Sequence, residues 1–172
     1  MTDVATRLMT VADAPAMAAL LRANREFLAP WEPVRGDGYF TDDGQRMVIA
    51  DMLRQHALGT AQPRVILVDG RIAGRITLTG IVRGPFLSGA LGYWVGADVN
   101  GRGVATAAVG QLARFAFGDL GLHRLEAGTL PHNTASQRVL LRNGFQRYGL
   151  APRYLKIAGE WRDHVLFQLL NE

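Results

Sequence analysis

Cysteine is absent from the 172 residues, and that one absence removes a disulfide framework, a thiolate zinc site and a cysteine nucleophile. Lysine is nearly absent as well. Lys156 is the only one, so the basic balance is arginine, and a formal net charge of +4 is too small to argue for direct nucleic-acid binding. Arginine suits bidentate phosphate contacts, although most arginines in this chain read as solvated surface. No apolar run approaches a membrane span: Val65–Val68 and Val165–Leu170 are both interrupted by charge, Gln or Gly. The N-terminus carries Asp3 and lacks the positive-then-apolar pattern of a leader, which gives the expectation of a soluble cytoplasmic protein. Repeats, low-complexity tracts and linkers are missing too, and residues 1–172 are expected to form one domain.

What is present reads as a globular α/β chain. Residues 4–11 form a short strand, and Asp13 with Pro15 starts a helix whose Met17, Leu20 and Leu21 share a face. Phe27–Phe40 is loop-like but rich in aromatics. A second helix is expected from about Asp43 to Leu58. Strands Arg64–Val68 and Arg71–Ile81 flank Asp69-Gly70, a two-residue hairpin signal, and a third strand covers about Ala90–Gly96. Residues 102–118 give an uninterrupted helix with Val104, Ala108, Leu112 and Phe115 on one side. His123–Thr129 is a strand. Thr134–Arg142 is a helix capped by Asn133 and stopped at Asn143-Gly144, with Phe145 placed for a Schellman contact. A hairpin of Phe145–Ile157 and Trp161–Leu170 closes the order β-α-α-β-β-β-α-β-α-β-β, a mixed sheet with helices on both faces.

The most informative stretch is Gly92–Thr106, where a strand ends, a glycine-rich loop follows and a helix begins at once. Free N–H groups of a first helical turn, with the positive end of the helix dipole, make an anion site, and glycine lets a phosphate come close. A P-loop is excluded because its lysine is absent. A dinucleotide fingerprint is excluded because Gly101-Arg102-Gly103 is followed by Ala105-Thr106. The remaining alternative is a glycine turn that merely starts a helix.

Asn100-Gly101-Arg102-Gly103-Val104-Ala105 resembles the acetyl-CoA loop of the GNAT superfamily, Gln/Arg-x-x-Gly-x-Gly/Ala, with Asn100 in place of the first residue. Asn133-Thr134-Ala135-Ser136 and Gly144-Phe145 resemble that superfamily's second element. The blocks NREFLAPWEPVR, VRGPF, LHRLEA, PHN and GEWRDHVL, between residues 24 and 166, are similar to the RimJ/RimL group of ribosomal-protein-alanine N-acetyltransferases. The resemblance implies a central mixed twisted sheet of about seven strands flanked by four helices. It also implies acetyl-CoA as co-substrate and no metal.

By the same resemblance, backbone N–H groups of Arg102, Gly103, Val104, Ala105 and Thr106, after Gly101, hold the pyrophosphate. The pantetheine arm runs along Val95, Gly96 and Ala97, towards Asn133 and Ser136. An amine attacks the thioester directly, with the Val95 N–H on the developing oxyanion. Many relatives protonate the leaving thiolate with a tyrosine at the position of Leu140; here Ser136 takes that role or simply bonds its own helical turn. Trp31, Glu32 and Phe40 belong to the acceptor loop. Glu32 either receives the amine, acts as a base through water, or pairs with Arg35. Tyr93 faces the thioester or packs in the core, and His132 assists deprotonation or is held by loop backbone. The implied partner is a protein N-terminus such as that of a ribosomal protein, with no membrane or nucleic acid, and the enzyme is a monomer or homodimer. A small-amine acetyltransferase and a non-catalytic acyl-CoA-binding module are the alternatives.

Overall fold

In the computed structural model, which describes residues 2–172, the strands are β1 (Val4–Leu8), β2 (Gln62–Val68), β3 (Arg71–Val82), β4 (Ser88–Val95), β5 (Arg124–Thr129), β6 (Gln146–Ile157) and β7 (Glu160–Leu170). The helices are α1 (Ala14–Ala23), α2 (Arg25–Leu28), α3 (Asp42–Ala57), α4 (Val104–Gly118) and α5 (Thr134–Arg142). One sheet of seven strands runs in the order β1-β2-β3-β4-β5-β7-β6. The expected mixed sheet is therefore observed, with five helices instead of four. The extra one, α2, is a single turn that continues α1 into the segment read as loop, where 3-10 turns at Ala29–Trp31 and Asp37–Phe40 also form.

Local chemistry accounts for the joints. Asp69-Gly70 and Ala158-Gly159 each take positive φ at both positions (48° and 79°; 49° and 86°), as tight two-residue hairpins require. At the end of α5, Phe145 N–H donates to Leu140 O and Gly144 N–H to Leu141 O, which is the Schellman pattern, and Phe145 and Leu140 are both buried. Asp13 differs from expectation. Its carboxylate does not cap α1; it accepts from Thr10 N–H and from both terminal nitrogens of Arg7, at 2.8 and 2.7 Å, and so ties β1 to the turn before α1.

Apolar residues on the two faces of the sheet build two cores. Ile66, Ile76, Leu78, Leu91 and Val95 pack against Val104, Ala108 and Leu112 of α4 and Leu140 of α5. Val65 on the opposite face packs with Met17 and Leu21 of α1, Ile49 of α3 and Phe40. The sheet is continuous except at its centre. Parallel pairing of β4 with β5 covers only Ser88, Gly89 and Ala90 opposite Arg124, Leu125 and Glu126. Beyond Ala90 the two strands part, and the opening they leave positions everything described next.

Candidate active site

The splay leaves one edge of β4 unpaired. Gly96 N–H donates to Ala73 O on β3 at 2.8 Å, and the antiparallel register sets Trp94 opposite Arg75 and Val95 opposite Gly74. In such a ladder alternate residues turn their N–H and C=O groups to opposite sides. Val95 N–H therefore points away from β3, into the gap.

Where the chain leaves β4 it turns towards α4. Gly101 and Gly103 have φ of 75° and 79°, and a Cβ added at either would meet nothing within 4 Å, so both line open space. The first backbone bond of α4 is Ala107 N–H to Gly103 O, which leaves the N–H groups of Gly103, Val104, Ala105 and Thr106 without backbone acceptors. One expected donor, and one residue of the expected pantetheine path, have their N–H groups engaged within the chain. Arg102 N–H is turned inward to Val99 O at 3.4 Å, and Ala97 N–H is taken by the Asn24 side-chain oxygen at 2.8 Å. Asn24 is buried, and its amide also donates to Leu20 O, so the end of α1 braces the loop from behind. Sequence reading passed over this residue; it lies 73 positions from the group it holds, and no local pattern marks it.

Opposite the loop stands α5. Asn133 Oδ1 accepts from Ser136 N–H at 3.1 Å, the expected N-cap. Ser136 Oγ lies 2.7 Å from the Tyr93 hydroxyl, which also donates to Ser136 O at 3.2 Å. Tyr93 thus reaches the cleft with its hydroxyl while its ring packs against the core, and burial pushes that hydroxyl up to about 12 against the opposing effect of the Ser136 bond. Leu140 is fully buried and apolar, so it supplies no proton donor to the cleft. Arg138 and Arg142, one helical turn apart, flank the groove lined by Gly101, Gly103 and Thr106. Their i,i+4 spacing on a capped helix was readable in the sequence and was missed. At the far end of α5, the Asn143 amide donates to Thr106 O at 3.1 Å and fixes the two helices across the groove.

The cleft continues through the splay to the other face of the sheet. Phe27, Trp31, Tyr93, Val95, Asn133 and Ser136 line its middle. Beyond them a cavity of about 310 Å³ is bounded by Leu28, Trp31, Glu32, Met52, Arg75, Thr77, Gly92 and Trp94. Glu32 is half-buried, and desolvation raises its carboxyl above the ordinary value while the charges of Arg75 and Arg35 oppose the shift. Its loop is braced by the β6–β7 turn, whose Ala158 N–H donates to Glu32 O at 2.9 Å. His132 stacks on Trp31 with ring centroids 5.4 Å apart, so the loop before α5 meets the acceptor segment. Phe40 corrects the expectation. It is 8% exposed, sits in the α1–α3 core beneath the Arg25 guanidinium at 4.1 Å, and lines neither part of the cleft. Buried among Met17, Leu21, Ile49 and Val65, the aromatic ring removes more apolar surface from water there than it would on a wetted wall.

The model of the acetyltransferase (GNAT) domain matches residues 4–146. The chain is 35% identical over 167 residues to the probable N-acetyltransferase YjcK of Bacillus subtilis, covering 96% of this chain and 92% of that protein. It is 34% identical over 165 residues to the [ribosomal protein uS5]-alanine N-acetyltransferase of Escherichia coli, covering 95% and 85%. The solved structure of Mycobacterium smegmatis RimJ in complex with CoA-disulfide superposes with a TM-score of 0.94 at 34% identity, covering 97% of this chain and 81% of that one.

Proposed function

The chain belongs to the GNAT acetyltransferase family, and from that premise we propose that it transfers an acetyl group from acetyl-CoA directly to the α-amine of a protein N-terminus, a ribosomal protein being the first candidate. The observation that supports this reading best is the convergence of an unpaired Val95 N–H, the Ser136–Tyr93 hydroxyl pair and two cavities that meet at them.

The residues fit acetyl-CoA. Four free N–H groups at Gly103–Thr106 and two arginines on α5 face one groove, which matches a pyrophosphate in charge and donor geometry. Glycine at 101 and 103 keeps side chains out of that approach. When bound, acetyl-CoA supplies the thioester carbonyl that the amine attacks. Val95 N–H then donates to the oxygen as negative charge grows on it, in a site walled by Phe27, Trp31 and Val139 where such a bond is stronger than in water. Ser136 Oγ would donate a hydrogen bond to the departing sulfur, the proton shed by the amine would pass through water to that thiolate, and Tyr93, hydrogen-bonded to Ser136, would hold the hydroxyl in place. Trp31 and Glu32 orient the amine from the opposite face.

An α-amine titrates near 7.7–8.0 and a lysine near 10.4, so at neutral pH roughly a tenth of α-amines are uncharged, against well under a thousandth of lysines. A weak base or a water relay is enough for the first. The cleft offers no more than that, since Glu32 is the one carboxylate lining it among the described residues and His132 lies behind Trp31. The acceptor cavity holds one carboxylate, Glu32, where a polyamine site calls for several. A non-catalytic acyl-CoA-binding module needs neither Ser136 nor the Trp31 loop, yet both converge on the middle of the cleft. The test is a pair of peptides, one with a free Ala N-terminus and blocked lysines, the other N-terminally blocked with one free lysine, followed by thiol release from acetyl-CoA. Faster release with the α-amine is expected; faster release with the lysine overturns the reading.

A further inference from the structure

Six buried polar side-chain atoms among the described residues lack a hydrogen-bond partner, and three of them line one cavity: Arg75 Nη1, Thr77 Oγ1 and Trp94 Nε1. Buried donors left without acceptors cost about 1–3 kcal/mol each, so such a concentration in one place needs a cause. The register supplies the geometry. Arg75 lies opposite Trp94 and Thr77 opposite Gly92, so all three donors stand on the same face of neighbouring strands, under α2 and α3. Thr77 is only 8% exposed, and its unpartnered hydroxyl is sequestered in the cavity wall. Gly92, between them, contributes no side chain, and a Cβ there would meet nothing within 4 Å. An occupant can therefore lie flat on the β4 backbone with the donors around it. Arg75 makes no ion pair, because Glu32 is near enough to feel its charge yet not in contact with it.

A guanidinium edge, an indole N–H and a hydroxyl left unpaired in the wall of one cavity match a planar group with several acceptor lone pairs. Resting on the acetyltransfer reading of the same cleft, we propose that this cavity recognises a carboxylate carried close to the reacting amine, with Arg75, Trp94 and Thr77 as the specificity-determining donors. Trp31, which lines both this cavity and the catalytic cleft, and its neighbour Glu32 then face the amine, and the donors face the acid. The substrate is bipolar, and the site reads both of its charges. The carboxylate comes either from an acidic side chain in the first residues of a peptide or from the α-carboxylate of a free amino acid or dipeptide.

The experiment uses the whole protein, acetyl-CoA and peptides of one sequence that begin with Ala and differ only in Glu or Gln at the second, third or fourth residue. Free alanine and an Ala-Gly dipeptide form the small-molecule arm. A Glu-over-Gln ratio in kcat/KM of roughly 10- to 100-fold at one position is expected, the range of one charge-assisted hydrogen bond. Preference for the free amino acid or dipeptide over the Gln peptides supports the same chemistry from the small-molecule source. Arg75→Gln should bring the preference towards one. Thr77→Val is the companion variant that does not depend on Arg75 folding normally. It removes an unsatisfied buried hydroxyl while keeping shape, so it should raise Tm and lower the preference together, a pairing that a purely structural threonine would not give. Thiol release that is equal for Glu and Gln peptides, with no preference for free carboxylates, overturns the inference and leaves acetyltransfer intact. No thiol release with any amine overturns the acetyltransfer reading itself, and the carboxylate inference that rests on it.

Discussion

The two ends of the cleft are built from different materials. On the α4–α5 side the candidate cofactor groove is mainly backbone: four N–H groups at a helix start, the edge of β4, and glycines that keep side chains away. On the α1–α3 side the candidate acceptor cavity is mainly side chain, with Arg75, Thr77, Trp94, Glu32 and Trp31 set around the bare backbone of Gly92. Backbone donors are fixed by the helix and strand that carry them, and they suit a ligand portion that never varies. Side chains can be exchanged one at a time without disturbing the sheet, and they suit the variable partner. A cofactor groove of the first kind tolerates most substitutions except at its glycines, whereas an acceptor cavity of the second kind changes its ligand with a single residue.

The strongest way to break that contrast is Gly103→Val. The residue sits at φ 79°, where a β-branched side chain is strained, and its Cβ would enter the space reserved for phosphate. Loss of CoA affinity of about 100-fold is expected, with stability falling by about 1–3 kcal/mol; calorimetry with CoA and a thermal melt separate the two. Unchanged affinity in a folded variant would show that the groove is not read through its backbone. Next in size is Ser136→Ala, which should lower kcat by about 100-fold while CoA affinity stays within a few-fold, as expected for a donor used mainly in the transition state. Tyr93→Phe removes only the support of Ser136 and should cost about 10-fold. It also carries a pH signature. The Tyr93 hydroxyl, raised to about 12, binds its proton more tightly folded than unfolded, so its contribution to stability is whole below pH 10 and is lost as pH rises towards 12. The phenylalanine variant should lack that alkaline loss in a urea midpoint series.

A smaller effect tests the acceptor end. Arg35 is exposed, and its charge opposes the upward push of burial on Glu32. Arg35→Ala removes that opposition. The Glu32 carboxyl then holds its proton to higher pH, and the acidic limb of kcat/KM should move upward, with little change on the plateau. A limb that stays in place would separate Glu32 from the rate.

The same contrast explains what the sequence disclosed. Element order, both two-residue hairpins and the Asn133 cap were legible because each rests on residues within four positions of one another, and the Gly101–Ala105 loop because glycine spacing marks a backbone site directly. The wall of donors was not, because Arg75 meets Trp94 only through strand register and nothing in either local sequence announces the pairing. Asn24 escaped for the same reason: it holds Ala97 by a direct bond from 73 positions away in the chain. Ala97 and Arg102 were assigned from their place in a motif, and motif position does not reveal that their N–H groups are used internally.

Phe40 makes the finest test, because composition alone could not separate it from Trp31. Both are aromatic residues of one turn-rich segment, and the expectation placed both at the acceptor. Trp31 is 37% exposed and lines the cleft, while Phe40 is 8% exposed and packs with Met17, Leu21 and Ile49. Phe40→Leu removes part of a ring from that core and the face that Arg25 covers. The expected cost is about 1–2 kcal/mol of stability, most of it cavity and the rest the lost cation–π contact. The effect on KM for the peptide should be less than about twofold, since the ring touches no part of the cleft. Trp31→Leu should invert the pattern, raising KM by about 10-fold with a smaller loss of Tm, as a half-exposed ring contributes less to folding than to a bound partner. A denaturant midpoint and a KM measured on the same preparations decide it. If Phe40→Leu raises KM as much as Trp31→Leu does, the α1–α3 core and the acceptor cavity are mechanically one body, and the division drawn between them fails at that residue.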